Sequence, residues 1–202
     1  MKFGIKKLDE LLGKIEKGSV IVIEGVGDIP LILAKIFLKS AIDMGYKVFA
    51  MVPERVKRLL SDLKYVKVIT PNDIYSYQEL FTISLLVKKL DESVGLIDAF
   101  QQLLMLHEPS KVYQLFREVC QHIRDKSSVV IVTLDKRLAD SKTLAMFESE
   151  ADYVIDIDEV VKDMTIIRGI RVKKSITNPP SDYYKLELNG KKLDIGDKIE
   201  QH

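Results

Sequence analysis

One cysteine, three histidines and a net charge of +1 remove several classes of function from this 202-residue chain at the outset. Cys120 alone can form neither an internal disulfide nor a cysteine-based zinc site. His107, His122 and His202 lie far apart with no ligand spacing between them, so no metal centre is expected. Lys and Arg number 31 against 30 Asp and Glu. Bulk charge therefore cannot drive nucleic-acid binding, although a local basic patch stays open. No apolar run approaches bilayer length, and no membrane association is expected. Met1 to Lys17 carries charges every few residues and does not read as a secretion signal, which predicts a cytoplasmic chain. Internal repeats, low-complexity tracts and linkers are missing, as are a nucleophile elbow and a metalloprotease helix.

What is present is core material. Apolar residues make up 47% and charged residues 30%, the balance of a globular chain able to bury a sizeable core. Ser19 to Gly25 (SVIVIEG) reads as a strand buried on both faces. A helix is predicted from about Ile29 to Met44, with Asp28 as N-cap, Pro30 in the first turn and Gly45 at the C-terminal end. Lys47–Val52 and Val66–Thr70 read as strands, with Glu54–Leu63 helical between them. Tyr77 to Leu90 is amphipathic, and Ser93–Ile97 is a buried strand tipped by Asp98. Val112, Leu115, Phe116, Val119 and Ile123 form a helical stripe, and Ser128–Thr133 is the most strand-like run of all.

This alternation predicts an α/β fold with a mostly parallel sheet and helices on both faces. After about residue 150 the pattern changes. Tyr153–Ile157, Met164–Lys173 and Tyr183–Leu188 read as short strands, with a hairpin signal at Asn189-Gly190. One domain over residues 1–202 is expected, its core in 1–150 and an antiparallel extension in 151–195.

A first strand ending at a glycine-bearing turn is where GxxxxGK[ST] binds phosphate, through backbone N–H groups, a lysine and a magnesium-holding hydroxyl. In that register Glu24 stands at the first glycine, Ile29 at the second, Pro30 at the lysine and Leu31 at the Ser/Thr, around Gly25, Val26, Gly27 and Asp28. Pro30 supplies neither charge nor N–H, Leu31 cannot hold magnesium, and Ile29 blocks close backbone approach. Glu24 and Asp28 add negative charge where a polyphosphate would lie. The reading is a vestigial phosphate loop with no cofactor.

The surroundings resemble a known family. Gly4-Ile5-Lys6-Lys7-Leu8-Asp9-Glu10-Leu11-Leu12-Gly13 is similar to the opening segment of KaiC-type and RadA-type members of the RecA ATPase superfamily, and Lys17-Gly18-Ser19 resembles the residues before their first strand. Asp98 resembles the Walker B aspartate, and Glu54 falls near the acidic residue that activates water. Lys173 to Leu188 resembles the C-terminal hairpin, with Ser175 and Ile176 at its arginine and glycine. The resemblance implies a RecA-like fold. It does not carry over ATPase activity, because the departures fall in the motif that performs it.

Each candidate has a plainer alternative. Asp98 is either a magnesium-linked carboxylate or a residue that ends a strand and caps a turn. The acidic residues Glu148, Glu150, Asp152, Asp156, Asp158 and Glu159 either bind a cation or form a solvated strand face. Arg168, Arg171, Lys173 and Lys174 either touch DNA or guard a sheet edge. Tyr183-Tyr184 and Pro179-Pro180 form either a recognition platform or core packing with a rigid turn, and Cys120 reads as a buried small hydrophobe. The expected function is a non-catalytic pseudo-ATPase that binds a protein, a peptide or its own copy. Its partner cleft is expected at Gly25, Gly27, Glu54, Asp98 and Thr133. The alternatives are a nucleic-acid accessory factor and a residual ATPase with an unconventional phosphate site.

Overall fold

Val20 and Val22 enter one hydrophobic core while Ile21 and Ile23, between them, enter another. A strand that alternates between two cores has to be covered on both faces, and that one fact sets the architecture. A computed structural model describes residues 1–70, 80–88, 90–162, 164–189 and 192–199. In chain order the elements begin with α1 (Lys6–Leu12), β1 (Ser19–Gly25), α2 (Ile29–Asp43), β2 (Lys47–Met51), α3 (Glu54–Leu59) and β3 (Val66–Ile69). Next come α4 (Leu80–Val87), β4 (Ser93–Ile97), α5 (Phe100–Leu106), α6 (Pro109–Asp125), β5 (Val129–Asp135) and α7 (Ser141–Glu150). The chain continues with β6 (Tyr153–Lys162), β7 (Thr165–Lys174), β8 (Tyr184–Asn189) and β9 (Lys192–Lys198).

The described strands form one sheet in the order β3-β2-β4-β5-β1-β6-β7-β8-β9. Strands β1 to β6 run parallel, and β7, β8 and β9 add antiparallel. Helices α1, α2 and α3 cover one face, and α4, α5, α6 and α7 the other. The second face is sealed by Phe100, Phe116 and Phe147, whose ring centroids lie 4.4–5.6 Å apart.

Helix α2 ends as its sequence predicts. Gly45 has φ +82°, its N–H donates to Ile42 O at 2.9 Å, and Tyr46 N–H donates to Ala41 O at 3.0 Å. That pair of bonds is a Schellman closure, which needs a left-handed residue and so favours glycine. Asp28 stands at the N-cap position as expected and its carbonyl accepts from Ile32 N–H at 3.0 Å, but its side chain makes no capping bond and is drawn to Arg55 instead.

Several elements depart from expectation. Tyr153–Ile157 pairs parallel with β1, because α7 carries the chain back over the sheet before β6 begins; the antiparallel part starts only at β7. Strand β7 lies between β6 and β8 instead of at an edge, and β9 runs past residue 195 to Lys198. Helix α3 stops at Leu59, short of the expected Leu63. Residues 71–79, with the start of the helix expected at Tyr77, lie outside the described residues, as does Gly190 of the hairpin signal. Among the described residues no helix is long and apolar enough to cross a membrane.

Candidate functional site

The connection leaving β1 passes to the face of α2, while those leaving β4 and β5 pass to the face of α5 and α7. Divergence of neighbouring connections opens a crevice beyond the carboxyl ends of the strands, the usual ligand position in open α/β sheets. Here it is a cleft of about 110 Å³. Gly27, Asp28, Pro30 and Leu31 line it from the β1–α2 turn, Arg55 from α3, Asp98 and Gln101 from the β4–α5 segment, and Thr133, Leu134, Asp135 and Arg137 from the end of β5.

The turn itself is short and closed. A Cβ built on Gly25 would sit 3.0 Å from Ile157 Cβ and 3.1 Å from Pro30 Cγ, so these side chains cover the end of β1. Gly27 has φ +68° and open space around it. Ile29, Pro30 and Leu31, the first residues of α2, are all buried, and Pro30 offers no N–H to the cleft. Asp28 pairs with Arg55 at 3.3 Å.

Asp98 is 2% exposed. Its backbone N–H donates to Met51 O at 2.9 Å, which fixes it at the tip of β4 against β2. Its Oδ1 accepts from Thr133 Oγ1 at 2.5 Å, while its Oδ2 meets no hydrogen-bond partner among the described residues. Burial pushes its carboxyl up to about 6, with the Thr133 hydroxyl pulling the other way. Asp135 is the opposite case. The Arg137 guanidinium grips it at 2.6 Å and 3.0 Å and holds its carboxyl below the usual range, helped by the backbone N–H groups of Arg137 and Gly27. Asp135 N–H in turn donates to Gln101 Oε1 at 3.2 Å, and Lys136 N–H donates to Gly25 O at 2.9 Å.

Beside the cleft lies a second polar cluster, on β1, β6 and β7. Glu24 and Asp156 are register partners on adjacent strands and are 1% and 2% exposed. Asp156 accepts from Lys136 Nζ at 2.7 Å, Arg171 Nε at 2.9 Å and Tyr183 OH at 2.5 Å. Burial pushes its carboxyl up, but those three donors outweigh burial and hold it below the usual range. Glu24 is less well supplied: Lys173 Nζ reaches Oε1 at 3.2 Å, and Oε2 has no hydrogen-bond partner among the described residues. Burial, with Glu148 nearby, pushes it up to about 7 against the pull of Lys173.

The structure thus brings Gly27, Asp98 and Thr133 together in one cleft. Gly25 is covered by neighbours and does not line it. Glu54 does not line it either: it is half exposed at the start of α3 and pairs with Lys57 at 3.6 Å, while the next residue, Arg55, lines the mouth. Arg55, Gln101, Asp135 and Arg137 were not foreseen. The only available signal was that Asp135 closes the strand that Ser128–Thr133 begins.

The acidic residues of 148–159 form no single face. Glu150 accepts from Tyr113, Asp152 pairs with Arg124 at 3.3 Å, and Glu159 pairs with Arg168 at 2.6 Å. Arg171, Lys173 and Lys174 are likewise committed, to Asp156, to Glu24 and Glu148, and to the carbonyls of Glu148 and Ser149. Tyr183 belongs to the Asp156 cluster, and Ser175 holds Leu12 O at 2.8 Å, tying the C-terminal extension to α1. Cys120 is fully buried on α6, and burial pushes its thiol well up.

This architecture is known from elsewhere. The structure superposes on a KaiC-like protein from the hyperthermophilic archaeon Pyrococcus horikoshii with a TM-score of 0.76, covering 96% of this chain and 97% of that one at 19% identity. The fold is a KaiC-like RecA fold. Its mostly parallel sheet, flanking helices and antiparallel C-terminal strands agree with the resemblance read from the opening segment and the C-terminal hairpin. At that identity the likeness speaks for the fold alone. No protein-family model matches the chain, and no curated protein matches it.

Proposed function

We propose that this protein is a non-catalytic RecA-fold protein, a pseudo-ATPase, whose cleft over the strand ends binds a protein or peptide segment. The observation that carries this reading is the chemistry of the β1–α2 turn. A phosphate loop surrounds its ligand with amide donors, a lysine and a magnesium-holding hydroxyl. Here α2 begins with buried Ile29, Pro30 and Leu31, and the carboxylates of Asp28, Asp98 and Asp135 line the same cleft. Three acids set around the position of a polyphosphate oppose it.

Size points the same way. The cleft, at about 110 Å³, lies well under the roughly 300–1,000 Å³ of pockets that enclose drug-sized ligands and cofactors. It suits a side chain. Protein contact is also favoured by the tip of the β6–β7 hairpin, where Val161, Met164 and Ile166 are exposed beyond the helical layers. Such a surface fits a partner protein or a second copy of this chain. The nucleic-acid reading has less support, because Arg168, Arg171, Lys173 and Lys174 spend their hydrogen bonds within the chain.

The test is thermal unfolding with and without millimolar Mg·ATP, Mg·ADP and ATP alone. No change in Tm is expected with any of them. A rise in Tm that disappears in Asp98→Ala would return the site to nucleotide binding.

A further inference from the structure

The charges lining the cleft do not balance. It holds the carboxylates of Asp28, Asp98 and Asp135 and the guanidiniums of Arg55 and Arg137. Each guanidinium is committed to one carboxylate, Arg55 to Asp28 at 3.3 Å and Arg137 to Asp135 at 2.6 Å. Asp98 is the acid left over. Both arginines are more than half exposed and stand at the mouth, whereas Asp98 and Thr133 are each 2% exposed and lie within. Asp98 lines the cleft, and its buried Oδ2 meets no partner among the described residues.

A buried carboxylate oxygen without a donor is costly, and a ligand that supplies one recovers that cost on binding. The remaining walls say what shape of donor fits. Pro30, Leu31 and Leu134 line the same cleft, so apolar side chains stand beside the acid. A carboxylate with apolar side chains in the same cleft matches a side chain with an aliphatic stem and a charged head.

Building on the peptide-binding reading above, we propose that the cleft takes one cationic side chain, the lysine or arginine of a partner segment, with Asp98 accepting from its ammonium or guanidinium. The stem packs on Pro30, Leu31 and Leu134, and the head makes a charge-assisted hydrogen bond to Oδ2. Arg55 and Arg137, held by their own acids, border the entrance without occupying the acceptor. The cleft thereby selects the charge opposite to that of a phosphate.

The experiment uses the full chain, isotopically labelled for amide NMR at pH 7.5, and three blocked tripeptides: Gly-Lys-Gly, Gly-Arg-Gly and Gly-norleucine-Gly. The lysine and arginine peptides should give saturable shifts at Gly27, Thr133 and Asp135, and the norleucine peptide should bind at least tenfold more weakly. Asp98→Asn keeps the shape and removes the charge; an unchanged amide spectrum elsewhere shows that it folds, and binding of the cationic peptides should fall at least tenfold. Equal binding of norleucine and lysine peptides overturns the cationic-side-chain inference but leaves peptide binding standing. Absence of any lysine- or arginine-dependent shift also overturns it. Shifts produced by Mg·ATP or Mg²⁺ in place of the peptides, and lost in Asp98→Asn, overturn both readings.

Discussion

Asp98 and Asp156 are both 2% exposed, Asp98 directly after β4 and Asp156 within β6, yet their surroundings are opposite. Asp156 receives Lys136, Arg171 and Tyr183, and their donors hold its carboxyl low in spite of burial. Asp98 receives Thr133 on one oxygen and nothing on the other, and burial pushes it up to about 6. A carboxylate kept for structure is surrounded by donors supplied by the chain. One short of donors keeps acceptor capacity, and that capacity is what the cationic-side-chain proposal uses at Asp98. Glu24 lies between the two, with Lys173 on one oxygen only and a carboxyl raised to about 7.

The comparison breaks most readily at Asp156. Asp156→Ala leaves Lys136, Arg171 and Tyr183 without their shared acceptor, and removing one member of a buried ionic cluster costs about 3–5 kcal/mol. Urea unfolding at pH 7.5 should show a loss of that size. A loss under about 1 kcal/mol would mean that the cluster is not the structural counterpart it is taken to be.

Asp98→Asn should move stability the other way. The folded carboxyl, raised to about 6 from an ordinary 3.8, holds its proton more tightly than the unfolded one. Its favourable contribution is therefore complete below about pH 4 and lost as pH rises through 6. The amide escapes that loss. The variant should be about 3 kcal/mol more stable than the parent at pH 8 and equal to it at pH 4. Its cost should appear only in binding. A variant less stable at pH 8 would place Asp98 with Asp156 among the structural acids.

A comparable effect, at slightly higher pH, is expected from Glu24→Gln. Glu24 is also raised, to about 7, so its contribution fades as pH climbs from about 5 to 8. The glutamine should flatten that part of the stability profile by an amount comparable to Asp98→Asn, because the two carboxyls are raised by similar amounts. Chemical denaturation across pH 5 to 8 reads the slope directly. Smallest of all is Glu54→Gln. Its pair with Lys57 is exposed, and the change should alter stability by less than about 0.5 kcal/mol and leave peptide binding unchanged. A clear loss of binding would bring Glu54 back into the site.

Much of the scaffold was legible. Ser19–Gly25 and Ser128–Thr133 are runs of β-branched residues between polar ends, and only buried parallel strands tolerate them. The stripe through Val112, Leu115, Phe116, Val119 and Ile123 gave α6, and all five are buried. Short helices escaped: Phe100–Leu106 and Lys6–Leu12 have seven residues each, too few turns for a periodic pattern to stand out. Of the cleft, Gly27, Asp98 and Thr133 were found because strand ends converge at one crevice. Arg55 lines the cleft where Glu54 was expected, since one residue of helical rotation decides which of two neighbours faces its mouth.

The sequence by itself determined the α/β layering, the presence of one cysteine with no partner, and the residues that stand at the β1–α2 turn. Those properties are local: they follow from periodicity, from counting, and from which side chains carry an N–H, a charge or a hydroxyl. Tertiary structure alone decided that Lys173 serves Glu24 across 149 residues, that Arg171, Lys136 and Tyr183 converge on Asp156, and that Asp98 keeps one oxygen without a donor. Two acids of the same type, each preceded by a run of apolar residues, look alike in one dimension. The register of β1 against β6, and of β6 against β7, brings the donors to Asp156, while Asp98, after β4, receives the Thr133 hydroxyl on one oxygen and no donor on the other.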